Sequence, residues 1–439
     1  MQTIIKQLKK YPDITDWRLV HQQATRYQLY IIGSELENVR KVTTNKYFLT
    51  IYSRVDDRVG STTLTVFDHE KEALDDRLKP GVFIAQRVTN PLFSLPGPAY
   101  VPFVESFDPT LAGDIQEILF VKLADQMIAT VEKEKDVTLS SSEFFVDLED
   151  LHMRNSRGID IAYKRSGIFF DGVLLAGDSA NEVEMHFEPR SRRYQDVHME
   201  RTIKEYAQFA RDSLTAELPP KGHYPVVLSG NGLSAVFIPM VHHTSASSQY
   251  RKTSRFRPGQ SIYQEGQPKG EPLTLISNGY VPFGLRTLPV DADGVPACRT
   301  ELIRDGQFVR PWSSKRYADY LGIPPTGAIA NLEIPIGSHS TQDILSGERV
   351  LQVVEFSALM PNSISGNFAA EIKLGYLHEN GKSRPIKGGS VSGNLITGFS
   401  NVLFSTEAQF ANYALALDNF GSYIGPRHIR FHDFQVSGR

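Results

Sequence analysis

The sequence is poor in cysteine and contains no long apolar run. Cys298 is the only cysteine in 439 residues, so the chain can form neither an internal disulfide nor a zinc site built from several thiolates. A single thiol is typical of a reducing compartment, and we expect a cytoplasmic location. No stretch approaches 18 consecutive apolar residues, and Lys6, Lys9 and Lys10 interrupt the region where a signal peptide needs its apolar core. We therefore expect neither membrane insertion nor secretion.

An excess of charge of one sign is also missing. The 47 Lys and Arg residues nearly balance the 50 Asp and Glu residues, and the formal net charge is -3. Such a chain has no overall cationic field that would attract phosphates, so we expect no direct nucleic-acid partner. Hydrophobic residues make up 41% and charged residues 22%, which is ordinary for a compact protein, and the length predicts two or three domains.

The residue patterns that are present predict an α+β fold. In the first half, apolar residues recur at helical spacing from Ile115 to Val131 and again from Ile203 to Leu214. Around these helices lie segments rich in β-branched and aromatic residues, such as Tyr27 to Ile32 and Tyr47 to Tyr52. We predict an N-terminal domain over residues 1–220 that combines a mostly antiparallel sheet with flanking helices.

The second half is predicted to be a C-terminal, mostly antiparallel β domain over residues 221–439. The segment Leu218 to His223 contains two prolines and precedes the apolar run Tyr224 to Leu228, so we place the domain boundary there. Beyond it, helical periodicity is scarce and short apolar runs alternate with turns. The dipeptide Asn380-Gly381 separates two such runs and predicts a type I′ hairpin.

Several common catalytic motifs are missing. The pattern G-x-S-x-G of the α/β-hydrolases does not occur, and Gly381-Lys382 lacks the upstream glycine of a phosphate-binding loop. The segment Ser229 to Ala235 satisfies a loose G-x-G-x-x-G/A pattern, but the acidic residue expected about 20 positions later is missing, since Tyr250 to Phe256 is basic and hydroxylic. We interpret Ser229 to Ala235 as a structural glycine turn.

The histidines do not form a recognisable metal motif. Neither His69-Glu70 nor His378-Glu379 is followed by a second histidine four or five positions after the first. His242 and His243 are adjacent, and neighbouring side chains diverge by about 100° on a helix. Packing or hydrogen bonding is the favoured interpretation of this pair, with metal binding as the alternative.

The segment that follows these histidines is rich in hydroxyl and cationic groups. Ser245, Ser247 and Ser248 precede Arg251 and Lys252. Such donors could close around a carboxylate or phosphate, which makes these five residues candidates for substrate binding. The alternative interpretation is a solvated loop, because runs of charge usually face water.

An ordered set of short motifs resembles one known family. The motifs are Asn155 to Gly158, Ser245 to Phe256, Gly266 to Lys269, Leu275 to Gly279, Pro325 to Gly327 with Asn331, Gly366 to Phe368, Gly375 to Gly381, and Gly389 to Leu395. Together they resemble the TldD/TldE (PmbA) family, often labelled modulator of DNA gyrase, over about residues 150 to 405. In that family, paired subunits degrade extended peptides.

The TldD-type member of that family carries the zinc-peptidase motif HExxxH in its second domain and a further cysteine ligand near its C-terminus. There, two imidazoles hold the zinc and the glutamate polarises a water. In this sequence Ala235 to Ile238 matches the apolar lead-in, which puts Pro239, Met240 and Thr244 at the positions of the first histidine, the glutamate and the second histidine. Cys298 lies far upstream of the expected cysteine. The resemblance therefore implies a TldE/PmbA-type member that has no catalytic residues and no metal ligands.

Three functional hypotheses follow from this resemblance. In the leading one, the chain is a metal-free subunit that pairs with a TldD-like HExxxH subunit; zinc is held only by the partner, and this chain contributes assembly and confinement of a peptide substrate. The first alternative is a homodimeric binding protein for a peptide or small molecule, with Ser245 to Arg255 as its anion site. The second is an active metallopeptidase with non-standard ligands such as His242 or His243. Any effect on gyrase would be indirect, through peptide turnover.

Overall fold

The structure is a computed structural model of the chain, and it describes residues 1–113, 116–178, 180–263, 266–412 and 421–439. The α-helices are α1 Gln2–Leu8, α2 Asp75–Ala85, α3 Gln116–Val131, α4 Met199–Thr215, α5 Ile238–His243, α6 Ala246–Tyr250, α7 Lys315–Leu321, α8 Thr341–Leu345 and α9 Leu395–Gly398. The strands are β1 Asp16–Ile32, β2 Glu35–Val55, β3 Arg58–Phe67, β4 Thr89–Pro91, β5 Val137–Asn155, β6 Asp160–Asp178, β7 Asn181–Phe187, β8 Arg190–Ser191, β9 Gly222–Ser229, β10 Leu275–Asn278, β11 Arg299–Arg304, β12 Gln307–Phe308, β13 Asn331–Glu333, β14 Arg349–Phe356, β15 Asn367–Glu379, β16 Lys382–Ile386, β17 Ser390–Asn394, β18 Val402–Phe404, β19 Ala408–Ala411, β20 Tyr423–Pro426 and β21 His428–Ser437.

The first half folds into one antiparallel sheet with helices packed on it. Its strand order is β4-β3-β2-β1-β5-β6-β7, with β8 paired to β6. Alternate residues of β5 and β6 are buried, as expected for strands with one face on a core. The apolar stripe of α4, which includes Ile203 and Tyr206, packs against Phe187 and Phe170 in this core. Both predicted helices and the predicted sheet are therefore confirmed, except that Ile115, where the first predicted helix begins, lies outside the described residues.

The second half contains two further sheets. One has the order β12-β11-β10-β13-β20-β19, and the other has the order β14-β9-β21-β17-β15-β16. In the latter sheet β14 also pairs with β15, so the circuit β14-β9-β21-β17-β15 closes on itself like a small barrel. The pairs β9–β14 and β13–β20 are parallel, and the other strand pairs in these two sheets are antiparallel.

The predicted hairpin joins β15 to β16. Glu379 lies opposite Lys382, and the two residues between them are Asn380, with a φ of 52°, and Gly381, with a φ of 73°. Positive φ at both central residues defines the type I′ turn, which confirms the prediction.

Apolar residues of both halves share one core. Val354 of β14 and Leu374 of β15 pack with the cluster formed by α3, α4 and the first sheet. The described strands of the first sheet end at Ser191, and those of the other two sheets begin at Gly222. The α+β class is confirmed, with a mostly antiparallel β architecture in the second half. The boundary between residues 220 and 221 stays a prediction.

In the part of the chain that the structure describes, no helix combines the length and the apolar character that crossing a bilayer requires.

Candidate functional site

The segment that the resemblance aligns with the zinc motif packs into the core of the second half. Strand β9 ends at Ser229, a 3₁₀ helix follows over Gly230–Phe237, and α5 runs directly on from it to His243. Pro239 lies in the first turn of α5, where a missing backbone N–H costs no hydrogen bond. The apolar side chains of this turn are buried in the main core, and they hold the segment in place.

The three motif positions do not fit a zinc ion. Pro239 carries no ligand atom, and Met240 is 0% exposed and packs in the core. The Thr244 hydroxyl donates to the Met240 carbonyl at 2.9 Å, and the Thr244 amide donates to the same carbonyl at 3.0 Å. Both hydrogen bonds are made within the last turn of α5, so the Thr244 hydroxyl is already engaged. Zinc in proteins is held by imidazole, thiolate or carboxylate groups, and none of these stands at the three positions.

His243 is held by hydrogen bonds at both ring nitrogens. Its Nε2–H donates to the Ile364 carbonyl at 3.0 Å, and its Nδ1 accepts from the Arg255 amide at 3.2 Å. Burial lowers the pKa of His243 to about 4, so the ring is neutral at pH 7. Neither nitrogen is left over for a metal ion. The structure supports a packing and hydrogen-bonding role for this residue.

His242 is half-buried beside it. The two imidazole rings lie edge to face, with centroids 5.2 Å apart. The Ser248 hydroxyl approaches the His242 Nε2 at 3.3 Å, and burial lowers the pKa of this histidine as well. Since His243 has no free nitrogen, the pair does not offer two ligands to one ion.

The serines of the candidate loop act mainly as a helix cap. The Ser245 Oγ accepts the amides of Ser247 at 3.1 Å and Ser248 at 3.4 Å, which begins the short helix α6. The Ser245 and Ser247 hydroxyls lie 2.6 Å apart. The loop is tied down further because Ala246 donates to the Trp312 carbonyl and the Trp312 Nε1 donates to the Val241 carbonyl, both at 2.9 Å.

The two cations of the candidate loop lie at the surface. Arg251 donates through Nη2 to the Tyr317 hydroxyl at 2.7 Å and lies over the ring of that tyrosine. Lys252 is exposed and has a φ of 58° at the end of α6. The five predicted binding residues therefore lie in one segment, but only Arg251 and Lys252 present charge to solvent. Their role in binding stays a prediction.

Another histidine lies among acidic side chains on the first sheet. The described residues bring ligand atoms of Asp171, His186 and Glu188 within 4.8 Å of one another. The His186 Nε2 lies 2.6 Å from the Asp171 carboxylate, and its Nδ1 lies 3.4 Å from that of Glu188. Contacts between a histidine and two partly exposed carboxylates account for this arrangement without a metal ion.

A cleft of about 1310 Å³ lies between the two halves, and sequence reasoning did not identify it. Its walls are α4 on one side and the ends of β9 and β14, together with β19, on the other. Glu355 is half-buried at its edge and accepts from the Tyr206 hydroxyl at 2.9 Å. Burial raises the pKa of this carboxyl to about 8. The lining residues come from distant segments, and no local motif could have predicted their convergence.

A second cavity, of about 680 Å³, lies where the first sheet meets the β10 and β13 sheet. Arg192 is buried there and donates to three carbonyls, through Nε to Gly284 at 2.9 Å, through Nη1 to Ser166 at 3.1 Å and through Nη2 to Leu285. Burial, reinforced by the nearby Arg165, lowers the pKa of Arg192 to about 10. This side chain joins the two halves.

Comparison with known proteins places these features in a wider context. Residues 221–438 match the family described as PmbA/TldA metallopeptidase C-terminal domain. A metalloprotease TldD homolog of Haemophilus influenzae is 26% identical over 207 residues, which cover 44% of this chain and 42% of that protein. A metalloprotease of Synechocystis is 28% identical over 232 residues, covering 48% of each. The matches thus span less than half the length of these curated relatives.

Two solved structures share the whole fold. TldE from Thermococcus kodakarensis superposes with a TM-score of 0.83 at 18% identity, covering 99% of this chain and 100% of that chain. A candidate modulator of a DNA gyrase from Thermotoga maritima superposes with a TM-score of 0.80 at 18% identity, covering 99% of both chains. At these identities the likeness concerns the fold.

Proposed function

We propose that this chain, which belongs to the TldD/TldE metallopeptidase family, is a metal-free subunit of the TldE type. In this proposal it pairs with a TldD-like subunit that carries HExxxH, and the pair degrades or processes extended peptides. This chain would contribute assembly and confinement of the substrate. Zinc would be held only by the partner, and this chain would need no cofactor of its own.

The observation that carries this proposal is that the side chains of α5 and Thr244 are packed and hydrogen-bonded inside the protein. Met240 lies in the core, Thr244 bonds back to the Met240 carbonyl, and both nitrogens of His243 are engaged. A zinc site of the peptidase type requires ligands that converge on an open position for water. The residues present here fill that volume with packed side chains, which argues against the alternative of a metallopeptidase that uses His242 or His243.

The cleft between the two halves supports a role in holding peptide. Strand β19 lines it and, among the described strands, pairs only with β20, so its other edge is a candidate for binding an extended chain. Addition of a peptide strand to such an edge uses main-chain hydrogen bonds and places little demand on sequence. That property would suit a subunit that confines varied peptides.

Co-expression with an HExxxH-bearing homologue from the same genome tests this proposal. We expect the two chains to co-purify as one species, and we expect cleavage of an unstructured peptide to require both. A matched control replaces the glutamate of the HExxxH motif in the partner, which should abolish cleavage but leave pairing intact. If the chains do not associate, or if the homologue alone cleaves at the full rate, the proposal is wrong. The homodimer alternative predicts that this chain, purified alone, has the mass of two chains in solution, and a measurement of that mass checks it.

A further inference from the structure

A serine and a histidine on neighbouring strands form a close pair in the cleft. Ser229 is the last residue of β9, and His428, the first residue of β21, lies directly opposite it in the antiparallel ladder. The Ser229 Oγ lies 2.6 Å from the His428 Nδ1. Both residues line the cleft of about 1310 Å³ between α4 and the β9 and β14 strand ends.

The neighbouring hydrogen bonds indicate where the Ser229 proton lies. The Gln352 Nε2 donates to the Ser229 Oγ at 3.2 Å, and the Gln352 Oε1 accepts from the His378 Nε2 at 3.1 Å. A hydroxyl that accepts from an amide still has its single proton to donate, and His428 Nδ1 is the acceptor at hydrogen-bond distance. The distance between the Ser229 Oγ and the His428 Nδ1 is within the range found between a nucleophile and its general base.

His428 is uncharged at pH 7, and its lowered pKa makes it a weaker base than an exposed histidine. Burial, assisted by Arg427, lowers the pKa of His428 to about 4, so the ring is neutral at pH 7 and can accept a proton. Glu407 acts in the opposite direction and raises this pKa. Glu407 therefore provides a negative charge that would stabilise the imidazolium formed when the proton arrives.

The backbone around Ser229 has the form of a sharp strand-to-helix turn. Ser229 is extended, with a φ of -139° and a ψ of 170°, whereas Gly230 has a φ of 71° and begins the 3₁₀ helix. A Cβ at Gly230 would lie 2.7 Å from the Val354 carbonyl oxygen, so only glycine fits there.

We propose that Ser229 is a nucleophile for acyl compounds, carboxylic esters in particular, with His428 as its general base. In the first step the Ser229 Oγ bonds to the acyl carbon while its proton moves to His428 Nδ1. The ester bond then breaks, and the leaving alkoxide takes that proton. In the second step a water attacks the acyl-serine, its proton passes through His428 to the Ser229 Oγ, and the free acid is released. No metal ion and no partner subunit take part, so this activity goes beyond the proposed subunit role.

Covalent labelling of the purified chain tests this proposal. The probe is a fluorophosphonate with a biotin tag, used in the presence of EDTA so that metal-dependent reactions are excluded. Attack by Ser229 forms an O–P bond and breaks the P–F bond, and fluoride leaves with the hydroxyl proton. We expect one adduct per chain, mapped by peptide mass spectrometry to Ser229. Hydrolysis of p-nitrophenyl butyrate should be lost upon labelling.

Variants separate a catalytic pair from a structural one. We expect Ser229→Ala to abolish labelling and His428→Gln to slow it by about 100-fold. Ser213→Ala, which removes a buried hydroxyl on α4 outside this network, should label like the wild type. Mapping of the adduct in the wild-type chain gives an answer even if Ser229→Ala fails to fold. The proposal is overturned if the folded wild type does not react under conditions that label a known serine hydrolase completely, or if the adduct lies on another residue.

Discussion

At the scale of single residues, the adjacent histidines have different roles. His243 is fully buried and makes two ring hydrogen bonds, whereas His242 is half-buried and makes one longer contact with Ser248. We expect His243→Ala to lower the free energy of unfolding by about 3 kcal/mol, since it leaves a cavity and two unpaired backbone groups. His242→Ala should lower the free energy of unfolding by less than about 1 kcal/mol. Urea denaturation of both variants checks this, and equal effects would contradict the structure.

Glu355 should make stability depend on pH in a defined direction. Its pKa is raised from 4.5 to about 8 in the folded chain, because burial disfavours its charge. The folded state therefore holds a proton that the unfolded state releases, so stability is complete below pH 4.5 and is lost as the pH rises toward 8. We expect Glu355→Gln, which keeps an acceptor for Tyr206, to be more stable than the wild type at pH 8 and similar to it at pH 4.5. Thermal melting of the variant and the wild type at both pH values tests this prediction, and identical melting curves at pH 8 would refute it.

Residue chemistry was only partly predictable from the sequence. The resemblance to the TldD/TldE family drew attention to Pro239, Met240 and Thr244, and their types alone exclude a zinc-peptidase motif. The pairing of Ser229 with His428 was not predictable, because the two residues are 199 positions apart and meet only when β9 and β21 align. The glycine pattern of Ser229 to Ala235 predicts only a turn, and it carries no information about the partner of the Ser229 hydroxyl.

At the scale of elements, the candidate binding loop behaves as a capped helix. The Ser245 Oγ accepts two amides at the start of α6, whereas Ser247 makes a single contact between hydroxyls. We expect Ser245→Ala to lower the free energy of unfolding by about 1 kcal/mol, the usual cost of losing such a cap. Ser247→Ala should change it by less than about 0.5 kcal/mol. If denaturation curves show the two variants to be equally stable, Ser245 is not acting as the cap.

Strand lengths show what periodicity could and could not predict. The segments Tyr27 to Ile32 and Tyr47 to Tyr52 are correctly predicted strands, but they are parts of β1 and β2, which have 17 and 21 residues. The missed region of β2 is charged and exposed on both faces, so it lacks the alternation on which the prediction depends. The Asn380-Gly381 hairpin was predictable because its turn chemistry is local.

At the scale of the whole molecule, Arg192 should determine how firmly the halves are joined. Replacing it with methionine leaves the carbonyls of Ser166, Gly284 and Leu285 without their donor. We expect Arg192→Met to lower the free energy of unfolding by about 3 kcal/mol and to speed amide hydrogen exchange on both sides of this contact. The neighbouring control, Arg193→Met, removes a partly exposed pair with Asp196 and should cost less than about 1 kcal/mol. Comparable losses in both variants would argue against a joining role for Arg192.

The order of strands across the molecule lay beyond sequence reasoning. The sequence predicts which segments are strands, but the pairing of β14 with both β9 and β15 closes the sheet through contacts far apart in the chain. The same long-range pairings bring Ser229, Gln352 and His428 to one place. Local patterns carry no information on such register, so the α+β class was predictable and the cleft was not.

The zinc content of the chain purified alone, measured by mass spectrometry of the metal after expression in zinc-supplemented medium, tests the central claim most directly. Because the side chains of α5 and Thr244 are packed and hydrogen-bonded, we predict that no stoichiometric zinc remains bound after gel filtration. A TldD-like HExxxH subunit prepared in parallel should retain its zinc. One tightly bound zinc per chain, lost in a His242→Ala, His243→Ala double variant that remains folded, would contradict the account.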